Sequence, residues 1–265
     1  MKSERIPVKS FSADNGFIGK MQKLVREEVL PYQYNILNDA IPGIEKSHAI
    51  ENIRLAAEKL RGKDVKPDEF YGMVFQDSDV AKWIEAAAYA LAAGEDPELE
   101  KAVDETIQLY GASQHEDGYV DSYFTVKCPD KMWTNICDAH ELYCAGHMME
   151  AAVAYYEVTG KRELLDIMSK SADCIYEQFM KKNTRAYPGH PEVELALMRL
   201  WRATGNEKYK ELAKHFVDVR GQAPNYFVEE KKNRGWNVWD GTEELNTDYT
   251  QSTLPVREQK DAVGH

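Results

Sequence analysis

Three stretches of this chain repeat one helix–turn–helix plan, and that repetition limits its fold more than any other feature. They are residues 88–107 (AYALAAGEDPELEKAVDETI), 154–175 (AYYEVTGKRELLDIMSKSADCI) and 200–219 (LWRATGNEKYKELAKHFVDV). Each closes a helix at a glycine (Gly94, Gly160, Gly205), crosses a few charged residues and opens another helix. A glycine there suits the left-handed position that ends a helix, where a Cβ is strained. Small or apolar residues, Ala102, Met168 and Ala213, follow eight positions later in each case. A helix, a tight turn and an antiparallel helix, three times over, is an array of αα-hairpins. Upstream, Phe17, Met21, Leu24, Val25 and Val29 recur at helical spacing, and Pro31 is expected to kink or split that segment. A further helix is expected over about 47–60, with Ser47 as its N-cap. No run alternates long enough for a sheet. The reading is all-α, with about eight helices in a single domain over 1–265 and a long loop at 222–256.

Composition narrows the partners. With 33 Lys plus Arg against 45 Asp plus Glu the net charge is −12, the wrong sign for a sequence-independent hold on nucleic acid or anionic lipid. No apolar run approaches the ~20 residues of a bilayer span. The start, Met1-Lys2-Ser3-Glu4-Arg5, lacks the apolar stretch of a signal peptide. The four cysteines, Cys128, Cys137, Cys144 and Cys174, form no Cys-x-x-Cys, so reduced, buried thiols are the default. The expectation is a cytoplasmic protein with an uncharged small-molecule partner, no nucleic acid and no membrane.

Chemistry concentrates in aromatic-rich connections between hairpins, where binding residues collect on helical scaffolds. His140-Glu141-Leu142-Tyr143-Cys144 is like the His-Glu-x-x-His of zinc peptidases with cysteine in place of the second histidine. On a helix, His140, Cys144 and His147 would share a face, which leaves a metal site open as one reading. Histidines hydrogen-bonded at a helix start in a polar cavity are the other. His190 follows Pro188-Gly189 and precedes Pro191, placed at the first turn of a helix with Leu195, Leu197 and Leu200. His265 follows Gly264. Imidazoles that both donate and accept hydrogen bonds suit sugar hydroxyls. Asp77, beside Phe75 and ahead of Trp83, is expected to cap the helix that follows, with sugar binding as its alternative role.

GMVFQDSDVAKW, SQHEDGYVDSYF, HELYCAGHMMEAAVAYYEVTGK, PGHPEVELALMRLWRATG, HFVDVRGQ and LPVREQKDAVGH, in order from about Tyr32 to the last residue, resemble glycoside hydrolase family 127. That family contains retaining β-L-arabinofuranosidases of the bacterial cytoplasm. The resemblance implies an (α/α)6 barrel around an active-site cavity, with histidines matching His140, His190 and His265 holding the terminal arabinofuranose. It also implies a zinc-bound cysteine nucleophile and a glutamate acid/base. In the family those elements, with a Glu-x-Cys and a Cys-Cys, lie downstream of the motif matching 262–265. This sequence has no Cys-Cys and no Glu-x-Cys, so none of its cysteines inherits the nucleophile by motif match. No catalytic residue, metal ligand or cofactor is therefore assigned within the 265 residues, and zinc is expected in the complete enzyme. The chain is expected to be the sugar-gripping part of a divided or truncated glycoside hydrolase, inactive alone. Eight helices cannot close a ring of twelve, so a second polypeptide or self-association is expected to cover the open edge. The alternative is a non-catalytic carbohydrate-binding or regulatory helical array.

Overall fold

The computed structural model describes residues 6–261 apart from 12, 14, 240–244 and 246. Among the described residues there are eleven α-helices and no strand. They are α1 (Gly16–Leu24), α2 (Leu30–Leu37), α3 (Ala49–Leu60), α4 (Asp77–Ala93), α5 (Pro97–Ala112), α6 (Ser122–Lys127), α7 (Glu141–Thr159), α8 (Glu163–Glu177), α9 (Val193–Thr204), α10 (Glu207–Val219) and α11 (Tyr226–Asn233).

They pack as two rows. The inner row runs α2–α4–α7–α9, and α3, α5, α8 and α10 stand behind it. The three hairpin repeats are the steps α4–α5, α7–α8 and α9–α10, each pairing an inner with an outer helix. Gly160 and Gly205 end their helices in the left-handed region, at φ 78° and 74°. Gly94 departs from that expectation: its backbone is extended, φ 172°. The Arg26 guanidinium lies against it and donates to the Glu95 carbonyl at 2.7 Å. The turn is then completed by Asp96, whose side chain accepts from Leu99 N–H.

Pro31 goes with a split of its segment, as expected, made by a wider turn rather than by a break. Helix α1 passes through a π-helical turn, Val25–Val29, into α2, with Pro31 in the first turn of α2. Pro31 has no N–H for the carbonyl four residues back, and a wider turn absorbs the mismatch. Ser47 is not the N-cap of α3. His48 takes that place in the left-handed region, φ 55°, held by its backbone N–H and ring on Asp39. The 222–256 connection is not all loop, because α11 lies within it, capped by Asn225 on Phe227 and Val228 N–H.

The main hydrophobic core runs without a break from Leu30 on α2 to Phe227 on α11. Helix α7 is its centre, buried along most of its length by Leu142, Met148, Met149, Ala151, Ala152 and Val153. Such a helix is apolar nearly all round because it has neighbours on three sides. Trp83 ties α4 to α2, donating its indole N–H to the Leu30 carbonyl at 3.1 Å and stacking on Tyr34.

Candidate functional site

Helices α4, α7 and α9 start at one end of the array, and the candidate residues gather there. His140 is the residue before α7 and adopts the left-handed conformation, φ 61°. It therefore stands off the helix, and the helical-wheel face shared with Cys144 and His147 does not form. Its Nδ1 lies 2.5 Å from the Asp138 carbonyl oxygen, and its Nε2 lies 3.0 Å from Nε2 of His190. A carbonyl only accepts, so Nδ1 of His140 carries the hydrogen. Its Nε2 then presents a lone pair, and His190 donates from Nε2.

His190 reaches this position on a turn rather than on a helix. Pro191 is not at the first turn of α9, which starts at Val193 with Glu192 before it. The turn is held by Gly189 N–H on the Ile136 carbonyl, and a Cβ at Gly189 would overlap the Cys137 carbonyl oxygen. That close approach of two backbones brings residues 50 apart in sequence into contact. His265, the third histidine of the set, lies outside the described residues.

Aromatic rings surround the pair. Phe75 and Tyr143 lie 5.3 and 5.4 Å from the His140 ring. Trp239 sits at 6.4 Å from His140 and Tyr249 at 6.0 Å from His190, both exposed. Tyr143 takes a hydrogen bond from Lys82 at 3.1 Å.

A polar wall continues along the inner helices. Its members are Lys82 and Glu85 on α4, His147 and Glu150 on α7, Glu192 before α9, and Arg199 on α9. Arg199 donates to Glu150, to Glu85 at 3.1 Å and to the Tyr89 hydroxyl at 3.3 Å. Burial, with Lys82 nearby, lowers the His147 pKa to about 4. Burial and the carboxylates of Glu150, Glu85 and Glu194 raise Glu192 to about 7. Their 3.5 Å contact thus joins an imidazole that burial favours as neutral to a carboxyl that burial pushes toward protonation. Of this wall the sequence pointed only to His147, although Lys82, Glu85 and Tyr89, and Tyr143, His147 and Glu150, keep helical spacing on otherwise apolar helices.

Asp77 does not cap its own helix. It is 3% exposed and accepts from the backbone N–H and hydroxyl of Ser122, holding the start of α6. Asp121 accepts from Phe124 N–H at the same helix end. Beside His140, Glu141 is buried and accepts from the Tyr119 hydroxyl at 2.7 Å and from Trp133 N–H at 3.0 Å.

The cysteines do not fit a metal centre. Cys144 is 1% exposed, and burial together with Asp121 and Asp77 pushes its thiol well up. Burial raises Cys128 to about 11 and Cys174 to about 12, and raises Cys137 further. Among the described residues no three His, Cys, Asp or Glu side chains converge to hold a metal ion.

Residues 12–265 match the family model described as β-L-arabinofuranosidase, GH127 catalytic domain. The chain belongs to glycoside hydrolase family 127. It is 40% identical over 260 aligned residues to the non-reducing end β-L-arabinofuranosidase of Bifidobacterium longum subsp. longum, covering 90% of this chain and 38% of that protein. The crystal structure of a GH127 β-L-arabinofuranosidase from Geobacillus stearothermophilus T6 superposes with a TM-score of 0.87 at 52% identity, over 95% of this chain and 39% of that one. A GH127 β-arabinofuranosidase structure superposes at 0.79 and 31% identity, over 98% of this chain and 38% of its own. The GH127 chain described here thus spans under two fifths of the length of these relatives. Its helices form part of the helical barrel of the GH127 catalytic domain.

Proposed function

We propose that this chain supplies the sugar-gripping part of a β-L-arabinofuranosidase site. The observation that carries the reading is the His140–His190 pair, locked at one end by the Asp138 carbonyl and walled by aromatic rings. A sugar hydroxyl entering between the rings accepts from Nε2–H of His190 and donates to Nε2 of His140, turning one direct hydrogen bond into two. Phe75, Tyr143 and Trp239 offer apolar faces to the C–H side of a furanose. The relatives' activity supports a terminal β-L-arabinofuranosyl ligand. In this reading, the zinc-bound cysteine and the acid/base glutamate come from outside these 265 residues, and the chain alone does not turn over. His265, which matches the family's third histidine, is part of the same proposal as a further sugar ligand. Four free cysteines support a reducing, cytoplasmic setting, and no helix among the described residues is long and apolar enough to cross a membrane.

The test is titration of the chain with methyl β-L-arabinofuranoside, followed by NMR. His140→Ala and His190→Ala are each expected to weaken binding about tenfold or more, since an abandoned partner costs about 1–3 kcal/mol. Unchanged affinity in both variants removes the pair from the site. Release of arabinose from an aryl β-L-arabinofuranoside by the isolated chain would overturn the placement of the reacting groups elsewhere. The alternative is a carbohydrate binder without catalysis. A Glu-x-Cys and a Cys-Cys encoded after codon 265 would decide for the enzyme.

A further inference from the structure

Arg234, at the end of α11, lies 96 residues from Asp138 in sequence, yet the two are bonded. The Arg234 side chain is 3% exposed, and each of its five N–H groups finds an acceptor. Nε donates to the Trp236 carbonyl at 2.9 Å. One terminal nitrogen donates to Asn135 Oδ1 at 2.6 Å and to Glu230 at 3.3 Å. The other donates to Asp138 Oδ2 at 2.6 Å and to Asn237 Oδ1 at 2.8 Å.

Those acceptors belong to the two segments that shape the histidine pair. Asn135 Oδ1 also accepts from Asp138 N–H at 3.1 Å, so Asp138 is held at its backbone through Asn135 and at its side chain by Arg234. The Asp138 carbonyl between those anchors receives Nδ1–H of His140. Glu230, one turn before Arg234, accepts from the backbone N–H groups of Ile136 and Cys137 at 2.8 and 3.1 Å. Ile136 in turn holds the His190 turn through Gly189. On its other side, the bonds to Trp236 and Asn237 fix the start of the strand of chain that carries Trp239 against His140. A planar guanidinium with five fixed donors holds several acceptors in one geometry, which a flexible ammonium cannot.

We propose that Arg234 is a positioning residue of the sugar site: through Asp138 it fixes His140 in the Nδ1–H tautomer and so sets the direction of the His190-to-His140 hydrogen bond that the sugar enters. The sugar part of this inference rests on the proposed function, whereas the tautomer part does not. A carbonyl held in place selects the hydrogen on Nδ1; a carbonyl free to move leaves both tautomers open.

The test compares the wild-type chain with Arg234→Gln, Arg234→Lys and Asp138→Asn by long-range ¹H–¹⁵N correlation of the histidine rings. The His140 signals are assigned by their loss in His140→Ala. The wild type is expected to show a single Nδ1–H tautomer. Arg234→Gln and Asp138→Asn are expected to show a mixture and to bind methyl β-L-arabinofuranoside about tenfold more weakly, with Arg234→Lys between. Asp138 is partly exposed, so Asp138→Asn keeps the fold testable if removal of Arg234 unfolds the chain. An unchanged His140 tautomer in Asp138→Asn overturns the proposal, as does unchanged affinity in that variant where the wild type binds. If the wild type binds no sugar, the proposed function fails, and the tautomer result alone decides the role of Arg234.

Discussion

Glu141 is held above the usual carboxylate range although it opens helix α7, where a carboxylate is normally welcome. Burial outweighs the helix end and the hydrogen bonds from Tyr119 and Trp133, and raises its pKa from 4.5 to about 8. The folded state therefore holds a proton that the unfolded chain has released between those two values. Stability falls as pH rises through that window and is flat above it. At about 1.4 kcal/mol per unit, the loss is on the order of a few kcal/mol. Urea unfolding from pH 5 to 8 is expected to show this decline, and Glu141→Gln to flatten it. Asp77, Asp121 and Glu192 are raised by burial too and leave a residual slope in the variant, which His147, lowered by burial, opposes below pH 6.5. An identical slope in wild type and variant would show that Glu141 is ionised in the fold. At this scale, the sequence made His140 and His190 visible because each follows or opens a turn with a recognisable neighbour. Asp138 and Arg234 were invisible, because their link joins residues on segments that only the tertiary fold brings together.

The hairpins show what sequence similarity between elements does and does not carry. Three glycines occupy the same place in three similar stretches, and two of them do the same work. Gly160 and Gly205 have nothing within 4 Å of a Cβ, so only their left-handed φ demands glycine. Gly94 has an extended backbone that any residue adopts, with the flexible end of Arg26 as its nearest neighbour. Gly160→Ala is thus expected to cost about 1–2 kcal/mol, whereas Gly94→Ala is expected to stay within about 0.5 kcal/mol of wild type, since reduced unfolded-state freedom offsets the displaced Arg26. Thermal unfolding of the two variants side by side checks this, and equal losses would mean that the shared sequence pattern reports a shared conformation after all. The array itself was legible from helical periodicity and these turns. Helix α11 was not, because it has eight residues, mostly polar, and only Phe227 and Glu230 buried. Its importance comes from what Glu230 and Arg234 hold, not from an apolar stripe. The π-turn before Pro31 was unreadable for a related reason: proline announces a disturbance, and packing chooses its form.

At the scale of the whole molecule, the two rows of helices bury one continuous core and leave a helix face uncovered. Phe17 and Ile18 on α1 are 77% and 65% exposed, and Met21 and Leu24 join them. Phe17, Ile18 and Met21, together with Ala86, Ala90 and Ala93 of α4, line a groove. On α9, Leu195 is also exposed, although its neighbours Leu197 and Leu200 are fully buried. Apolar patches of this kind are uncommon on the surfaces of monomers and draw partners or copies together. The relatives are more than twice as long as the stretch that matches them, which supports the reading that further polypeptide covers such faces in a complete enzyme. In the isolated chain the exposed face has only another copy to meet. Sedimentation velocity is therefore expected to show concentration-dependent self-association, and a Phe17→Glu, Met21→Glu variant to shift the population to monomer. Neither position belongs to the buried core, so the variant is expected to keep the thermal stability of the wild type within about 0.5 kcal/mol. A wild type that stays monomeric at every concentration would show that the α1 face tolerates water. Self-association that survives the double substitution would move the contact elsewhere, with the Leu195 face of α9 as the next to substitute.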